Sequence, residues 1–166
     1  MATNAPQLAN EIRAAMGFPL PVSQQLIGFA QGILEELTMN GIATFDSGIP
    51  GPHSISGMVG VSMATKVHNY AGWAEAGPTP QLINYCTGIV QHIHGMGIVT
   101  YVGPPPPAIP DYFLGGTISG LDGTIMANTI AGLVPYPGTS PELIAKCTAI
   151  VTHIMVNAEV VSGIIS

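Results

Sequence analysis

Charge is what this sequence has least of. Only 7% of its 166 residues are Asp, Glu, Lys or Arg, against about 25% in a typical soluble domain. Three basic residues, Arg13, Lys66 and Lys146, stand against nine acidic ones, for a net charge of -6. Nucleic-acid binding relies on clustered Lys and Arg to neutralise phosphates, and so few scattered cations argue against it. The two cysteines, Cys86 and Cys147, are too few for a disulfide framework.

Targeting and spanning segments are missing too. The opening MATNAPQLANEIRAAMG has neither a basic n-region nor a continuous apolar stretch, so no secretory signal is expected. Residues 76 to 110 carry no acidic or basic residue, but Asn84, Gln91, His92 and His94 interrupt them and prolines and glycines close both ends. A bilayer span needs about 20 predominantly apolar residues, so no membrane insertion is expected. The 21 glycines form no GxGxxG after a strand and no GxxxxGK, which leaves no phosphate-cradling loop.

Apolar residues, by contrast, make up 47% of the chain. A disordered chain has the opposite balance, so this one should fold. With so neutral a surface it should also associate, with copies of itself or with a partner.

The apolar residues recur. SQQLIGFAQGILEELTMNGIAT from Ser23, TPQLINYCTGIVQHIHGMGIVT from Thr79 and SPELIAKCTAIVTHIMVNAEVV from Ser140 align without gaps. Leu26, Leu82 and Leu143 fall in register, as do Ile33, Ile89 and Ile150, then Leu37, Ile93 and Ile154. Upstream of each lies a shorter shared pattern, beginning at Leu8, Met63 and Met126; ISGMVG from Ile55 and ISGLDG from Ile118 precede the last two. Self-similarity at such a period marks a repeat architecture.

Leu82, Cys86, Ile89, Val90 and Ile93 make one apolar stripe at helical spacing. Ser23, Thr79 and Ser140 suit the N-cap, and Pro80 and Pro141 suit the first helical position. Asn40-Gly41, Gly95 and Asn157 are the expected stops. Beyond them IATF, IVTYV and EVV read as short β-prone tails, able to pair between units or with a neighbour.

The expected fold is therefore mainly α. Three helix-loop-helix units, 1–46, 55–102 and 117–166, are joined by a linker at 47–54 and a Pro-rich linker at 103–116. The four prolines from Pro104 to Pro107 favour polyproline II, either as a semi-rigid spacer or as a ligand for a Pro-recognising domain. A lone helix pair cannot bury its stripe, so the units must stack.

Cys86, His92 and His94 raise the question of a thiol nucleophile or a metal. The repeat answers it: Cys86 aligns with Cys147 and with Ala30, the pattern of a small buried hydrophobe. Six residues of helix turn the chain by about 600°, which leaves Cys86 and His92 about 120° apart. His92 and His94 diverge as well, and only one copy of three has the pair, so no metal site is expected. His92 and His153 align with Glu36, which places them on a polar flank, bonded to a loop carbonyl. His53 and His68 stand alone. Phe18, Trp73 and Tyr136 recur between the helices of each unit, either as plugs that pack the loop or as a contact patch. No residue is expected to be catalytic, to bind a cofactor or to hold a metal.

The combination of ISG(L/M)xG, then MA, then a Ser/Thr-Pro-x-Leu-Ile helix with CT(G/A)IVxHI spans Ile55 to Ala64 with Thr79 to Ile93, and Ile118 to Ala127 with Ser140 to Ile154. It resembles small structural proteins in the virions of tailed bacteriophages, including phages of cyanobacteria. That resemblance implies a non-enzymatic, multi-copy component of a capsid, neck, tail or baseplate. Its partners would be itself and other virion proteins, and it would be made in the host cytoplasm and kept in the virion. The first unit departs from the pattern, lacking ISG and the Cys-Thr pair. The competing expectation is a helical-repeat adaptor that binds a cellular protein through its loops or tails. A Cys/His hydrolase is the third and weakest, because no local nucleophile signature is present.

Overall fold

A computed structural model describes residues 4–19, 21–44, 52–101, 115–135, 138–161 and 163–166. The polyproline run lies outside them. The protein is mainly α, and among the described residues it has six helices and a six-stranded closed barrel. In chain order the elements are α1 (Ala5–Ala15), α2 (Gln24–Asn40), β1 (Ile42–Ala43), β2 (His53–Ser56), α3 (Gly60–Ala71) and α4 (Pro80–Met96). They continue as β3 (Ile98–Tyr101), β4 (Gly116–Ser119), α5 (Gly123–Leu133), α6 (Pro141–Asn157), β5 (Glu159–Val161) and β6 (Ile164–Ile165).

The long helices α2, α4 and α6 each have 17 residues and start where the caps predict. Ser23, Thr79 and Ser140 accept from the N–H groups of Leu26, Leu82 and Leu143 at 3.1, 3.2 and 3.1 Å. These bonds satisfy donors that the first turn leaves unpaired. Gly95 does not stop α4, which runs on to Met96 and ends against Gly97.

Each helix packs on the next, and α6 returns to α1, so the helices form a ring. Its filling comes from aligned positions: Ile33, Ile89 and Ile150, Leu37, Ile93 and Ile154, and Ile12 and Ile130 are all fully buried. At about 1.5–3 kcal/mol per buried large aliphatic, this shared interior holds the ring together. Glycine allows the long helices close approach to the helix that follows. A Cβ on Gly32 would run into the Val67 backbone, and one on Gly88 would lie 2.7 Å from Ile130 Cγ1.

The tails are strands, and they pair within the chain. β1 pairs with β2, β2 with β3, and so on to β6, which pairs with β1, all antiparallel. Ala43, Ile55, Val99, Ile118, Val160 and Ile165, one from each strand, point inward and are at most 2% exposed. The barrel sits beneath the helices, with α2 resting on β6, α4 on β2 and α6 on β4. β2 begins at His53, inside the segment expected to be a linker, and β4 takes in Gly116 at the end of the second one.

The second neighbour of β1, besides β2, comes from far along the chain. GIIS at Gly163–Ser166 has the same form as HSIS at His53 and GTIS at Gly116. Its strand β6 flanks β1 as β2 flanks β3 and β4 flanks β5.

Candidate functional site

Glu36, His92 and His153 are buried rather than lying on a polar flank, and they bond N–H groups rather than carbonyls. Glu36 Oε1 accepts from Val59 N–H at 2.8 Å, His92 Nε2 from Asp122 N–H at 3.1 Å, and His153 Nε2 from Asn4 N–H at 3.4 Å. Val59, Asp122 and Asn4 are the N-cap residues of α3, α5 and α1. Each side chain therefore latches the end of one long helix to the start of the next short one.

The three latches differ in chemistry. Glu36 also accepts from Ser62 at 2.6 Å, Asn40 at 2.9 Å and Lys66, whose ammonium lies 2.5 Å away. Burial pushes its carboxyl up, but those bonds prevail and hold it below the ordinary carboxylate value. Burial pushes His92 down, against the Asp122 carboxylate. With Nε2 accepting, the neutral ring carries its proton on Nδ1, which has no partner among the described residues. His153 accepts on Nε2 and directs Nδ1 to the Glu11 carboxylate at 2.8 Å.

Cys86 and Cys147, like Ala30, are fully buried in the helical ring. Burial pushes both thiols up to about 12. They are protonated at neutral pH, which removes the thiolate a nucleophile requires. Among the described residues no three His, Cys, Asp or Glu side chains come together as metal ligands. Burial also pushes His94 down. His53 is buried on β2, edge-on to Tyr101. Among the described residues no helix is long and apolar enough to cross a membrane.

The loop aromatics divide. Trp73 packs on the core edge-on to His68 with ring centroids 6.3 Å apart, whereas Phe18 is 51% exposed. Tyr136 lies outside the described residues.

Both aromatics border a funnel at the end of the ring away from the barrel. Its volume is about 440 Å³, and Leu26, Leu82, Phe29, Tyr85 and Val134 line it. Lys146, also in its lining, is the feature that sequence reasoning missed. Lys146 aligns with Phe29 and Tyr85, and its ammonium lies 3.7 Å from the centre of the Phe29 ring and 4.8 Å from that of Tyr85. A cation over two aromatic faces is stabilised by their negative π surfaces. Burial, opposed by the two cysteines, pushes its pKa down to about 8. The signal was in the alignment: one charged residue where the other copies carry aromatics.

A second concavity, about 570 Å³, lies at the junction of β1 and β6. Thr38, Met39, Ile42, Thr44 and Ile164 line it. Met39 and Ile164 are 70% and 67% exposed, and Val161 stands out from the same side of the barrel.

No family model matches the sequence, and no curated protein or solved structure matches it either.

Proposed function

We propose that this is a non-enzymatic structural protein built of three repeated helix-loop-helix units, and that it self-associates as a multi-copy component of a tailed-phage virion. The observation that carries the reading is the apolar outer face at the β1–β6 junction, formed by Met39, Ile42, Val161 and Ile164. Large apolar side chains grouped on a surface mark interaction sites. The lack of charge in the chain favours a second copy as the occupant, because a neutral apolar face complements another of its kind. Membership of a virion, as a capsid accessory, neck, tail or baseplate protein, rests on the motif resemblance. The buried, protonated cysteines and the latching role of the histidines support the non-enzymatic part of the reading.

Light scattering across a concentration series tests it. A discrete multiple of 17.1 kDa that persists on dilution is expected, and Ile164→Lys should reduce it to the monomer. Ile164 points outward while Ile165 fills the barrel, so that variant should stay folded. A wild-type chain that is monomeric at high concentration and binds no virion protein would sink the proposal. A single host protein captured without particle association would favour the adaptor.

A further inference from the structure

The funnel serves no part of the assembly reading, because it lies on the helical end of the molecule. The geometry points to a binding site for a small amphipathic carboxylate, its apolar part held among Leu26, Leu82 and Trp73 and its carboxylate paired with Lys146. The volume, about 440 Å³, falls within the range of roughly 300–1,000 Å³ in which proteins hold small molecules, mostly by apolar contact with a few fixed polar groups.

The charge at the site is uncompensated. Among the described residues no Asp or Glu lines the funnel, and Lys146 makes no hydrogen bond or ion pair with any of them. Its stabilisation comes from two rings, and both leave its ammonium open to an acceptor arriving from the funnel. The acid on the same helix, Glu142, is exposed in the first turn of α6, where its own N–H and the Ser140 hydroxyl hold it below the ordinary carboxylate value. Ser23 and Thr79, the N-caps of α2 and α4, also line the funnel, so two helix starts present positive dipole ends there. An apolar chain ending in an anion satisfies the walls and the cation together. A neutral alcohol of the same length satisfies only the walls.

The chain contains one tryptophan, and Trp73 is in the wall, so its fluorescence reports occupancy directly. Titration with decanoate and with decanol at pH 7 should show decanoate binding at least about tenfold more tightly, the size expected for one charge-assisted bond. Lys146→Met should bring the two ligands to equal affinity, and Lys146→Arg should keep the preference. Circular dichroism melting checks that both variants fold. Equal affinities in the wild type, a silent Trp73 signal or a carboxylate preference that survives Lys146→Met would each overturn the site. The wild-type ratio decides alone if Lys146→Met does not fold.

Discussion

The junction between α2 and α3 and the junction between α4 and α5 perform one backbone task with different chemistry. In both, a side chain near the end of a long helix accepts the N–H of the N-cap residue before the next short helix. At the first junction the acceptor is a carboxylate with four donors, one of them an ammonium. At the second it is a neutral imidazole with one. The fold requires an acceptor at that place, and the identity of the acceptor is free to vary. What varies with it is how much the junction loses on mutation and the pH at which it loosens.

Five substitutions and one titration would break or sharpen the contrast. Glu36→Ala should cost most, about 3–5 kcal/mol in urea unfolding, because it strands the Lys66 ammonium and uncaps Val59. A loss no larger than that of His92→Leu would mean that the ion pair adds nothing. Lys66→Met should cost less, about 1.5–3 kcal/mol, the worth of one bond to a charged group, since three donors still hold the carboxylate. His92→Leu should cost about 1–2 kcal/mol by leaving the Asp122 N–H unpaired; an unchanged midpoint would show that water replaces the ring.

Acid should separate the junctions in solution. Both groups titrate in the folded protein below their ordinary values, 6.5 for His92 and 4.5 for Glu36. The unfolded chain therefore takes up protons first, and each contribution is complete above the ordinary value and lost as pH falls through the folded one. Stability measured against pH should begin to fall below about 6.5 and fall again below about 4.5. His92→Gln should shrink the upper step and leave the part due to His94, which burial also pushes below its ordinary value; an unchanged step would assign the whole of it to other groups. Cys86→Ala should show the smallest effect, about 1 kcal/mol, because Ala30 already fills the equivalent place. A large loss, or lost metal content, would contradict its packing role.

The helices were legible because their signals are local. Ser23, Thr79 and Ser140 lie one residue before the helices they cap, and a stripe such as Cys86, Ile89 and Ile93 repeats within a few turns. The cysteine pair was legible by comparison with Ala30. Strands β2, β4 and β6 were not, because each has only two to four residues and one of its two partner strands lies far along the chain. The latches were hidden for the same reason. Glu36 and Val59 are 23 residues apart, and nothing near His92 in the sequence indicates that its acceptor faces a buried N–H. Lys146 could have been found, since it is the odd member of an aligned trio, but a lone lysine in a helix reads as solvated until its neighbours are known.

The closing strand also sets an order of events. Ile42 pairs with Ile164, and the Asn4 N–H reaches His153 across 149 residues of chain. These contacts cannot form on a ribosome until nearly the whole of this sequence has emerged. Until then the first helix pair presents β1 without one of its two neighbours, and Ile165 has yet to fill its place in the barrel. Contacts between such distant segments are the slow ones in folding. Refolding should therefore show helical signal ahead of barrel closure, and an unpaired β1 is the edge through which two incomplete chains would exchange strands.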